Sequence, residues 1–213
     1  VISAYALGVV IGAPVIAALT ARVPRKALLM SLMAVFALGN LATVVAPNYA
    51  TLVLARFVSG VPHGAYFGIA ALVAARLLGP GNRAKAVAQV MTGLTVATVV
   101  GVPAASWLGQ MLGWRAAFVV VVAIGVVTLL AIGEWLPAIG ATHATSPLTE
   151  LGALRRPQVW LALAVGMVGF GGMFAVYTYV STTLTDVAGL SRSMIPLALM
   201  VFGVGMVIGN LVG

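Results

Sequence analysis

The chain is 213 residues long, 62% hydrophobic and 7% charged, with 11 Lys plus Arg against 3 Asp plus Glu. Soluble domains carry about 25% charged residues, so a water-soluble fold is excluded; at about 20 apolar residues per span, seven spans use about 140 positions and leave no room for a soluble catalytic domain. The absence of Cys removes disulfides, thiolate metal sites and cysteine nucleophiles, and the net charge of +8 is spread over short basic clusters between apolar runs, which reports topology rather than nucleic-acid binding.

Apolar runs between polar or Gly/Pro punctuation predict an all-α polytopic membrane protein with spans at residues 1–20, 27–46, 51–78, 86–111, 114–136, 158–181 and 194–213. Connections one, three and five hold Arg22, Arg25 and Lys26, then Arg76, Arg83 and Lys85, then Arg155 and Arg156. Connections two, four and six hold only Arg115 and Arg192, and Arg56 lies within the third span. That asymmetry predicts odd connections in the cytoplasm, with Val1 outside and Gly213 inside. The chain opens at Val1 with no basic leader and stops within an apolar run, so a piece of a longer protein with one more helix before Val1 is expected. Residues 137–157 collect Gly, Ala, Thr, Ser and Pro. They read as a cytoplasmic linker between one bundle at 1–136 and the start of another at 158–213. Gly8-Val-Val-Ile-Gly12 recurs as Gly205-Met-Val-Ile-Gly209, and transporter folds are often built from repeated halves.

The third span carries the residues the membrane makes costly. A helical rise of about 1.5 Å per residue puts Arg56 about 8 Å below the external boundary and His63 about 18 Å deep, near the midplane. Arg56, Gly60, His63 and Phe67 share one helical face. Two readings stand side by side. Arg56 snorkels to the headgroups while His63 is a neutral imidazole bonded to a neighbouring helix, or both line an aqueous path in which His63, with an unperturbed pKa of about 6.5, takes and releases a proton. Gly60, Gly64 and Gly68 recur every fourth position, as do Gly101, Ala105 and Gly109, a spacing that lets helices approach closely in lipid. Pro14, Pro62 and Pro103 each remove a backbone donor within a span and favour a kink. Glu134, His143, Glu150 and Asp186 read as solvated.

Enzyme patterns are missing. There is no HExxH, GxSxG or GxxxxGK, the two histidines are far apart, and Ser59-Gly60 lacks the Gly that precedes a nucleophile elbow. No catalytic residue, metal site or cofactor is expected.

The order of features resembles the major facilitator superfamily, in its drug and sugar:proton antiporter branch, over the family's second to eighth helices. Ala17-Ala-Leu-Thr-Ala-Arg22-Val-Pro-Arg25-Lys26 is similar to the loop motif Gly-x-x-x-Asp-Arg-x-Gly-Arg-Arg/Lys, with Ala17, Ala21 and Pro24 at the Gly, Asp and Gly positions. Arg56-Phe-Val-Ser-Gly60-Val-Pro-His63-Gly64 resembles the fourth-helix motif whose Arg is linked with proton coupling. Gly93 to Gly109, with Gly101 and Pro103, followed by Gly113-Trp114-Arg115, looks like the fifth-helix antiporter motif and its turn. Pro62-His63-Gly64-Ala65-Tyr66-Phe67 is similar to the arabinose-efflux-like subgroup. The resemblance implies proton-coupled efflux of a sugar or drug by alternating access. It assigns proton coupling to Arg56, cavity lining to His63 and Tyr66, helix packing to Gly60, Gly64, Gly101, Pro103 and Gly109, and a cytoplasmic gating loop to Arg22, Arg25 and Lys26. Expected partners are a small solute, protons and a lipid bilayer in the cell membrane, without nucleic acid; the alternative is a seven-span receptor or binding protein that does not transport.

Overall fold

The computed structural model describes residues 1–79, 81–139 and 152–212. Seven helices follow in chain order: α1 (Ile2–Leu19), α2 (Arg25–Val45), α3 (Tyr49–Leu78), α4 (Arg83–Leu112), α5 (Trp114–Trp135), α6 (Pro157–Val187) and α7 (Ile195–Val212). No strand occurs among the described residues, and all seven helices are long and apolar enough to cross a membrane. Their ends fall close to the expected spans except in α6, which continues past 181 through a π turn at Thr183–Val187. Most of the expected linker, with His143 and Glu150, lies outside the described residues. Glu134 and Asp186 are exposed.

Local chemistry fixes several helix ends. Asn48 caps α3 by accepting from the Thr51 amide at 3.0 Å, while the Thr51 hydroxyl accepts from the Asn48 amide at 3.4 Å. This reciprocal pairing satisfies two orphan donors at the helix start. Between α4 and α5 the whole connection is Gly113, at φ 86°, a left-handed conformation that a side chain would strain. Within α4 the chain makes a π turn at Ala97–Gly101, where the Val102 amide reaches back to the Ala97 carbonyl. Pro103 follows at once and has no amide to give the α-helical ladder, which accounts for the wider turn before it.

By contacts the chain divides into two compact units, one of the described residues in 1–94 and 108–147, the other of those in 95–107 and 148–213. In the first unit α3 packs on both α1 and α2, and α2 packs on α5. A small apolar core of Leu28, Leu29, Leu32, Ala65, Ile69 and Val73 lies between α2 and α3. Outward-facing aliphatics such as Ile2, Val10, Leu19 and Leu38 stay more than half exposed, as lipid-facing side chains do. Lipid tails are as apolar as leucine, so close backbone contact and hydrogen bonds must hold the helices together.

The α1/α3 contact supplies the first of these. Gly8 and Gly12 lie against the backbone of Phe57 and Val61, and a Cβ added at either would fall on a carbonyl of α3. Gly60 answers from the other helix, its missing Cβ leaving room for the Tyr5 carbonyl. Hydrogen bonds supply the second, in the antiparallel α2/α5 pair. At one end Lys26 Nζ donates to the Gly133 carbonyl at 2.8 Å, and at the other Arg115 donates from Nε to Val44 O at 3.0 Å and from a terminal nitrogen to Ala46 O at 3.1 Å. Each helix thus places a cation from its first turn on the carbonyls at its partner's C-terminus, where the dipole favours positive charge. Removing either clasp by Lys26→Met or Arg115→Met is expected to cost about 1 kcal/mol. The clasps are a helix length apart, so the two losses add in the double variant; unfolding in detergent micelles measures this.

In the second unit a Cβ at Gly203 of α7 would stand 2.9 Å from the Thr98 carbonyl and 3.0 Å from Val99 Cα, on the π turn of α4. Tyr177 of α6 stacks obliquely on Phe202 of α7 with centroids 5.2 Å apart.

Candidate functional site

The expected face of α3 is turned toward α1. Arg56 sits near the start of α3 with its guanidinium over the ring of Tyr5 at 4.3 Å and over Phe118 of α5 at 5.0 Å. One terminal nitrogen donates to Asn40 Oδ1 of α2 at 3.0 Å. Asn40 is 1% exposed, and its own amide donates to the Phe36 carbonyl at 2.8 Å, which fixes Oδ1 toward the guanidinium. Four helices therefore meet at one cation. Arg56 thus has partners on three other helices, and none of those partners is a carboxylate.

One and two turns further on stand Gly60 and His63. His63 Nδ1 lies 2.8 Å from the Tyr5 hydroxyl, so the imidazole is bonded to a neighbouring helix, with the donor set by its tautomer. The ring is edge-on to Tyr5 at 5.5 Å and to Phe67 at 5.1 Å. Buried hydroxyls nearby turn inward to their own helices: Ser59 donates to the Arg56 carbonyl and Thr43 to the Gly39 carbonyl, each at 2.9 Å. Such back-bonding keeps buried polar groups satisfied where no water reaches.

The other expected residues lie apart from this cluster. Tyr66 packs against the apolar core between α2 and α3 and meets Phe67 edge-on at 6.4 Å. Gly64 faces α1, where a Cβ would meet Ala13 Cβ at 3.0 Å and Val9 Cγ1 at 3.1 Å. Among the described residues Gly101 and Gly109 make no close approach: an added Cβ meets only Ala97 Cβ at 3.7 Å and Trp114 Cα at 4.0 Å, respectively, and Pro103 is buried below the π turn. In the first loop Arg22 is exposed, Arg25 is buried with its amide bonded to the Ile139 carbonyl at 3.1 Å, and Lys26 is the clasp on α5.

Sequence reasoning missed Tyr5, Asn40 and Phe118. Asn40 carried a signal as a lone amide inside an apolar span, where polar residues usually serve a neighbour. Tyr5 carried one too, since Tyr5, Gly8 and Gly12 share a helical face. Phe118 carried none.

The sequence profile of the Major Facilitator Superfamily matches residues 1–213. The chain belongs to this superfamily. YdhP of Escherichia coli (strain K12), an inner membrane transport protein, is 41% identical over 212 residues, covering 100% of this chain and 54% of its own length. AraJ of the same strain is 36% identical over 210 residues, covering 99% and 53%. A chloramphenicol resistance protein of Streptomyces lividans is 36% identical over 210 residues, covering 95% and 53%. The chain spans about half the length of the curated relatives it matches. Superfamily membership and the seven apolar helices make it a multi-pass membrane protein.

Proposed function

We propose that the full protein is a secondary transporter that exports a small organic solute, a sugar or drug, in exchange for protons by alternating access. The observation that carries this reading is a guanidinium kept at membrane depth on neutral, separable partners from three other helices. An insertion cost of roughly 2.5–3.5 kcal/mol is retained in a membrane helix where the charge has work to do. Arg56 is the coupling residue, with His63 and Tyr66 toward the solute path. Gly60 and Gly64 hold α1 against α3, and Gly101, Pro103 and Gly109 give α4 its flexibility. Arg22, Arg25 and Lys26 form the cytoplasmic gating loop, with Val1 outside and Gly213 inside. Residues 1–136 belong to the first bundle, residues 137–157 to the linker, and residues 158–213 open the second bundle.

The resemblance to the chloramphenicol resistance protein of Streptomyces lividans makes chloramphenicol the first solute to try. In vesicles holding the full-length protein, an imposed pH gradient is expected to drive chloramphenicol or sugar accumulation, and a protonophore to collapse it. Solute movement indifferent to the gradient overturns proton coupling.

A further inference from the structure

A guanidinium does not surrender its proton near neutral pH, so coupling through Arg56 needs a neighbour that does. We infer that His63 carries the exchanged proton on Nε2 and that Tyr5 is its positioning residue, the one side chain among the described residues shared by the imidazole and the Arg56 guanidinium. This rests on the transport reading above.

Geometry supports each part. Tyr5 presents its ring face to Arg56 Cζ at 4.3 Å and its hydroxyl to His63 Nδ1 at 2.8 Å. It is held in register because its backbone carbonyl is seated in the space left by Gly60. Nε2 makes no hydrogen bond among the described residues, yet none of their buried side-chain nitrogens or oxygens lacks a partner. Nε2 is therefore not sealed by the described residues, and some open space is left beside it.

With Nδ1–H donating to the Tyr5 oxygen, the Nε2 lone pair faces that space. A proton delivered by water adds to Nε2 and gives imidazolium, and loss of the same proton to water on the other side restores the neutral ring. The bond to Tyr5 keeps its direction throughout. Among the described residues the imidazole meets Tyr5 from α1 and Phe67 on α3 itself, and the Arg56 guanidinium lies on the face of that same Tyr5 ring. Protonation thus places a second positive charge at the hydroxyl end of the Tyr5 ring whose face Arg56 covers. Like charges on one ring repel, and the guanidinium's hold on Tyr5 weakens as the proton arrives.

Histidine-selective nitrogen NMR of the full-length protein in lipid, across about pH 5 to 9, reads the tautomer and the titration of the signal that His63→Gln removes. The expected neutral form carries its proton on Nδ1. Tyr5→Phe keeps the ring for Arg56 but deletes the acceptor, and it should return the ring to a mixture rich in the Nε2–H form. A His63 signal that does not titrate, or a tautomer untouched by Tyr5→Phe, overturns the inference. In vesicles His63→Gln should cut pH-driven chloramphenicol uptake by at least about tenfold; gradient-driven uptake at the unaltered rate overturns the inference. If the unaltered protein moves no chloramphenicol, that solute fails as the substrate, and the titration and tautomer alone decide the proton carrier.

Discussion

Replacing Gly12 by valine is expected to be among the most damaging single changes in the first unit. A Cβ there falls on the Val61 carbonyl, and Val61 C and Cα lie within 2.7 Å of the same point, so no side-chain rotation makes room. The two helices must separate. Overpacking typically costs about 1–3 kcal/mol, and with backbone on both sides this case belongs at the upper end. Separation also draws Tyr5 away from Arg56 and His63, so transport is expected to fall together with stability. Gly68→Ala on the same helix is the control. An added Cβ there meets nothing within 4 Å among the described residues, and alanine favours a helix over glycine by up to about 1 kcal/mol. Melting temperatures in micelles should drop sharply for Gly12→Val and hold or rise for Gly68→Ala.

The second large effect concerns Arg56 and Asn40 as a pair. Arg56→Leu leaves the Asn40 carbonyl oxygen without its donor at 1% exposure, a loss of about 1–3 kcal/mol. Asn40→Leu leaves a cation with only two ring faces, each worth about 0.5–2 kcal/mol, and costs more because an under-solvated charge is dearer than an unpaired amide. The double variant removes both problems at once and should be more stable than either single variant. A double-mutant cycle showing the two losses to be additive would refute this pairing. In vesicles all three variants should lose pH-driven transport, and Arg56→Leu with normal gradient-driven flux would remove Arg56 from the coupling machinery.

Much of this was legible in the sequence because the membrane writes in large letters. Apolar runs set the helices, and single residues such as Gly113 and Asn48 set turns and caps through chemistry that acts over three or four positions. α6 ran past its expected end because Thr183 to Val187 are polar enough to break an apolar run yet continue as a π turn, which a hydrophobicity pattern does not register. The site was half legible. Arg56 and His63 stood out because charge and imidazole are rare in lipid. Their partners did not, because contacts such as Arg56 to Phe118 join positions far apart in the chain, and a phenylalanine in an apolar helix looks like any other. The glycines divided in the same way: spacing marked Gly60 and Gly101 alike, but only the approach of another backbone distinguishes a seat from open space.

The paired clasps of α2 and α5 have a mechanical meaning. Lys26 and Arg115 pin opposite ends of two antiparallel rods, so sliding one rod along the other by a turn would break both clasps at once. Tilting the two together breaks neither. The pair therefore behaves as a single stiff plank that resists shear and transmits rotation, so any rocking of the first unit moves Asn40 and Phe118 together. Only the glycine-lined seam along α1 is left for Arg56 to move against.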